Sequence, residues 1–152
     1  MRLGGIRARH TFFFSVRDQG LFEMKYSDKS LAVFRQVVDK VELDRDLGTV
    51  SAEFCCPADF PAFTGHFPGQ PVLPAVMQLV FVRMLAGDLL QTELDPVRTG
   101  RMKFKGMIKP DEIINIQVSL EKSDEQWHVA FKLKKLQSVV SSGTVLFKAA
   151  AR

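Results

Sequence analysis

The sequence is poor in cysteine, tryptophan and tyrosine: two, one and one in 152 residues. Cys55 and Cys56 are adjacent, and neighbours on an extended strand point to opposite faces, which argues against a disulfide between them. There is no CxxC and no Cys/His cluster, so neither a metal site nor a cofactor is expected, and a reducing cytoplasm is the expected setting. Long apolar runs are missing too; none approaches the ~20 residues that span a bilayer. The arginine-bearing N-terminus lacks the apolar core and cleavage site of a secretory signal. It is read as an extension over residues 1–30, followed by a single domain over 31–152. Lys plus Arg number 21 against 17 Asp plus Glu, a net charge of +4. That excess is too mild for a dedicated nucleic-acid binder and suits an acidic partner better.

The abundant residue is phenylalanine, with 13 copies. Phe brings apolar area without a polar handle and so predicts a large core or an apolar pocket. Residues 31–45 open as a short helix or strand and continue as a strand from Val37 to Leu43. Val50, Ala52, Phe54 and Cys56 alternate with polar neighbours, the period of a half-buried strand. Residues 57–71 hold four of the seven prolines and must form an irregular loop. Residues 72–90 then read as a helix, with Pro74 in its first turn and Gly87 near its end. Apolar residues point in every direction along it, interrupted by Gln78 and Arg83, so this helix is buried and something must wrap it. Alternating strands are expected over 101–108, 114–120, 127–133 and 143–149, with Met102, Phe104, Ile114, Ile116, Trp127, Phe131, Val145 and Phe147 inward. The class is α+β: one long buried helix held by an antiparallel sheet. One sheet cannot cover both sides of such a helix, which predicts self-association.

Chemistry concentrates in residues 60–80, FPAFTGHFPGQPVLPAVMQLV. A single histidine, His66, sits in a loop stiffened by proline and glycine, directly before the buried helix. Helix N-termini present backbone N–H groups without partners. A histidine beside such an end suits acid/base work next to a polarised carbonyl, such as proton removal beside a thioester. Outside this motif, a histidine in a proline-rich loop would more simply be structural.

The stretch GHFPGQPVLPAVMQL resembles the signature of the 3-hydroxyacyl-acyl-carrier-protein dehydratases of fatty acid synthesis, which adopt the hot-dog fold. The resemblance extends over residues 37–149, through Val38-Asp39-Lys40-Val41 and Lys103-Phe104-Lys105. It implies His66 as the catalytic base, the Val72 carbonyl as the group orienting it, and the Ala75 N–H as donor to the thioester oxygen. Phe67, Gly69, Gln78 and Val80 complete the implied substrate site. Two positions depart from the family pattern. Ala75 stands where glycine is usual, and Val80, fourteen residues after His66, stands where a Glu or Asp assists departure of water. Gln78-Leu79 resembles dehydratase-like proteins of specialised lipid and polyene pathways, and Gln78 is a candidate to hold a water or substrate oxygen. Asp59 and Glu53 are the nearby carboxylates that could replace the missing acid, although each reads more simply as a surface group; Asp88, two turns beyond Val80 on the helix, is expected to lie too far away.

The family implies an acyl-carrier-protein or CoA thioester as substrate, and a homodimer or larger with the site between subunits. A hetero-oligomer with an active paralogue would supply the missing acid. Arg98, Arg101, Lys103 and Lys105 form a basic cluster that would dock an acidic carrier protein. Three functions follow in order: dehydratase, non-catalytic acyl-binding or partner subunit, and acyl thioesterase.

Overall fold

The computed structural model describes residues 13–17, 21–25, 28–63 and 69–150. A hairpin of β1 (Phe13–Arg17) and β2 (Leu21–Lys25) precedes α1 (Asp28–Gln36). Then come β3 (Val38–Asp44), β4 (Thr49–Cys55), a 3-10 turn (Pro61–Phe63) and α2 (Ala75–Leu90). Four strands complete the chain: β5 (Leu94–Phe104), β6 (Ile113–Ser123), β7 (Gln126–Lys135) and β8 (Ser138–Ala149). The main sheet is six-stranded and antiparallel, in the order β3-β4-β6-β7-β8-β5, so that β3 and β5 are its edges.

The strand pattern builds one wall of the core. Ala52, Ile116 and Leu133 are opposed across β4, β6 and β7, and Val50, Val118 and Phe131 form the next row. All six are buried, while Gln117 and Lys132 between the rows face outward. α2, about 24 Å long at 1.5 Å per residue, lies against this wall with ten of its residues buried. Phe81 is its central anchor. Its ring stacks on Phe54 at 4.1 Å and 6° and meets the edge of Phe34 at 4.9 Å. Phe34 in turn touches Phe60 at 5.2 Å, and Phe60 touches Phe63. Each such ring contributes roughly 1.5–3 kcal/mol by burial, and these phenylalanines make core, not an open apolar pocket. The sequence leaves the far side of α2 to a second subunit; here α1 and the turn at Pro61–Phe63 cover part of it from within the chain.

Three expectations shift. The stretch beginning at residue 31 resolves into the end of α1 and then β3, and α1 starts at Asp28, inside the region read as an extension. The strand expected over 101–108 runs instead from Leu94 to Phe104. Phe104, expected inward, is 42% exposed. Irregularities in β5 between Pro96 and Arg98 and between Thr99 and Met102 reset its alternation, so a period of two cannot be carried through it.

Candidate functional site at the start of the buried helix

His66 and Phe67 fall in residues 64–68, outside the described residues, as does His10. The chain on either side of 64–68 is firmly held. Before it, Phe60 N–H donates to Pro57 O at 2.9 Å and Phe63 N–H to Phe60 O at 3.0 Å, and both rings are buried beside α2. After it, Gly69 takes φ +87°, a left-handed conformation that glycine adopts without strain, and no atom of the described residues lies within 4 Å of where a Cβ would stand. Four residues on, Leu73 is 1% exposed and its N–H donates to Ile108 O at 2.8 Å.

α2 begins at Ala75 behind Pro74, which provides no side-chain cap. Pro74 O accepts from Met77 and Gln78 N–H at 3.0 and 3.1 Å, while the Ala75 and Val76 N–H groups precede the first intrahelical bond. Ala75 is exposed, so its methyl, absent from the usual glycine, has room. These N–H groups carry the positive end of the helix dipole, an arrangement that stabilises a developing oxyanion.

Val80 is 2% exposed and sits in the apolar core, about 7.5 Å along the axis from Ala75. It provides no acid. Gln78 is 4% exposed, and its carboxamide is engaged by the protein: Nε2 donates to Leu73 O at 3.2 Å and Oε1 accepts from Ser141 Oγ at 2.8 Å. This differs from the expectation that Gln78 is free to hold a substrate oxygen. The carboxylates near this stretch in sequence are paired or exposed. Asp88 accepts both Arg35 guanidinium nitrogens at 2.8 and 2.7 Å, Glu53 lies 3.3 Å from Lys40, and Asp59 is exposed.

Arg98, Arg101, Lys103 and Lys105 are exposed, the first three on the edge strand β5. Charge on an edge strand also guards against unwanted strand pairing. Lys105 N–H donates to Val140 O at 2.8 Å, which ties this basic run to β8. Glu112, missed in the sequence, locks the next segment. It accepts from Lys109 N–H at 2.7 Å and pairs with Lys135 at 2.8 Å. Burial pushes its carboxyl up, but the Lys135 and Lys109 hydrogen bonds and charges outweigh that and hold it below the usual carboxylate range. Cys56 is buried and Cys55 half-buried, and burial raises both thiols above their ordinary value, so neither is set up as a nucleophile.

Among the described residues no group of three or more His, Cys, Asp or Glu is placed to hold a metal ion, and no helix is long and apolar enough to cross a membrane. A cleft of about 810 Å³ opens at the other end of α2, lined by residues including Leu31, Arg35, Leu43, Arg83, Gly87 and Thr92.

A long buried helix on an antiparallel sheet is the architecture of the hot-dog class, and solved structures agree. The dehydratase heterocomplex ApeI:P from Xenorhabdus doucetiae matches with a TM-score of 0.58 at 20% identity, over 67% of this chain and 88% of that one. A hypothetical thioesterase with coenzyme A from Streptococcus pneumoniae matches with a TM-score of 0.60 at 9% identity, over 81% and 95%, a likeness of fold alone. In sequence, the 3-hydroxyacyl-[acyl-carrier-protein] dehydratase FabZ of Chlamydia trachomatis is 30% identical over 123 residues, 73% of this chain and 80% of the relative. The model of the ApeI-like family, described as ApeI dehydratase, matches residues 42–144, and the chain belongs to this FabZ-like dehydratase family.

Proposed function

We propose that this protein dehydrates 3-hydroxyacyl thioesters carried on an acyl-carrier protein, in fatty acid or specialised lipid and polyene synthesis. The observation that supports it best is the start of α2, which has no side-chain cap and has Ala75 at an exposed position, nine residues after His66 in the sequence. His66 takes the proton from C2. The Ala75 N–H steadies the charge that builds on the thioester oxygen. The C3–O bond then breaks, the C2=C3 double bond forms, and the leaving hydroxide is protonated to water. With Val80 apolar, the acid for that last step is the His66 imidazolium formed in the first, or a protonated carboxyl group of a partner subunit. Arg98, Arg101, Lys103 and Lys105 serve as the docking face for the acidic carrier.

A second reading rests on Val80, which is 2% exposed and unable to move a proton. In it, the chain binds acyl groups as one subunit of a hetero-oligomer whose other subunit carries the acid. The ApeI:P relative, named as a heterocomplex, supports such an assembly.

The test is turnover of 3-hydroxyacyl and 2-enoyl thioesters, on carrier protein and on CoA, by wild type and His66→Ala. Interconversion that disappears in the variant supports the dehydratase. No turnover and no thioester hydrolysis by a folded protein that still binds acyl chains supports the partner-subunit reading. Hydrolysis to free acid overturns both in favour of a thioesterase.

A further inference from the structure

Gln78 and Ser141 are the two polar side chains buried in the core among the described residues, and they are bonded to each other. Their position explains how a helix that starts without a cap is held. Gln78 grips the turn before α2 twice. Its backbone N–H donates to Pro74 O, and its side-chain Nε2 donates to Leu73 O. Peptide units are planar, with the N–H and C=O pointing to opposite sides. Fixing Pro74 O inside the helix therefore points the Ala75 N–H outward. Fixing Leu73 N–H on Ile108 O sets the plane of the Val72 carbonyl in the same way. The Leu73 carbonyl between these two peptides is the one that Gln78 holds. The acceptor-only Leu73 carbonyl fixes which end of the amide faces it, since a flipped amide would set oxygen against oxygen, and Ser141 completes the device by donating to Oε1 at the other end.

We propose that Gln78, anchored by Ser141, is a positioning residue that fixes the Val72–Ala75 segment and so sets the direction of the Ala75 N–H and the Val72 carbonyl. This deepens the dehydratase reading and rests on it for its catalytic consequence, though not for its structural one. The two side-chain contacts are neutral, so the wild-type turn has no titrating partner within them.

Gln78→Glu converts the device into a switch. A protonated Glu can still donate to Leu73 O and accept from Ser141; an ionised one sets a carboxylate oxygen against the Leu73 carbonyl. Two readouts decide: the Leu73 and Ala75 amide resonances of ¹⁵N-labelled protein across pH, and kcat and KM for a 3-hydroxyacyl thioester. In Gln78→Glu, both amides are expected to move along a titration that wild type lacks, and kcat to fall about tenfold or more above it with KM changed less than about twofold. Ser141→Ala, which keeps the Nε2 bond, is expected to lower kcat by only about two- to fivefold. Amides that do not respond in Gln78→Glu, or variants that melt earlier with wild-type kcat, overturn the proposal. If wild type turns over no thioester, the dehydratase reading fails and the amide titration alone decides whether Gln78 holds the turn.

Discussion

The two ends of α2 are built from different materials. At its start, buried neutral groups meet: Gln78, Ser141 and the Leu73 carbonyl, with no charge among them. At its end, charges meet near solvent. Arg35 forks onto Asp88, Arg83 pairs with Asp95 at 3.2 Å and donates to Leu94 O, and Gln91 closes the helix in the left-handed conformation. Buried neutral bonds fix direction because breaking one leaves a desolvated group without a partner. Partly exposed ion pairs are softer and screened by water. The first construction suits an end where one N–H must point at one atom. The second suits an end that has only to be kept closed.

The largest effect should come from the middle that both ends share. Phe81→Ala removes the ring that joins Phe54, Phe34 and Phe60, and should cost about 3–5 kcal/mol in denaturant unfolding, without favouring either end. Next come single changes at each end. Gln78→Leu strands the Leu73 carbonyl and the Ser141 hydroxyl and should cost roughly 2 kcal/mol. Gly87→Ala should cost about 1–2 kcal/mol despite alanine's better helix propensity, because its Cβ would lie 2.8 Å from Thr92 O. Melting should place these two variants close together; turnover should separate them, with Gly87→Ala keeping the wild-type kcat. Arg35→Ala removes a pair whose arginine side chain is 51% exposed and should cost about 0.5 kcal/mol, shrinking further in salt.

The smallest effect is in acid. Glu112 has a lowered folded pKa, so its contribution is complete above the unfolded value and is lost as pH falls through the folded one. Glu112→Gln should therefore flatten the acid limb of a melting-temperature profile, by an amount equivalent to about 0.5 kcal/mol or less for a partly exposed, solvent-screened pair. An unchanged acid limb would show that Lys135 does not hold Glu112 in solution.

Much of this was legible beforehand, and the gaps have physical causes. Burial of α2 followed from apolar residues on all its faces, and β4, β6 and β7 from strict alternation, because each has one wet face and one dry one. β5 resisted because its irregularities break that period, as Phe104 shows. The phenylalanine count pointed equally to core and pocket, and only the ring contacts decide for core at residues 34, 54, 60 and 81. The motif singled out residues 60–80, but it gave no sign of the neighbours that engage Gln78 there, Leu73 and Ser141. Nothing near residue 78 announces Ser141, which is 63 residues away in sequence and meets it only because β8 passes behind the helix start. Glu112 was missed for a similar reason: a lone carboxylate after a Pro-Asp turn carries no signal of its pairing with Lys135.

The most direct test of the contrast between the two ends is to titrate ¹⁵N-labelled protein with an acyl-pantetheine analogue whose thioester is replaced by an amide. The account predicts that the largest amide shifts fall at Val72, Ala75 and Val76, at the start of α2. Shifts concentrated instead around Ala32, Gly87 and Thr92, in the cleft at its other end, would contradict it.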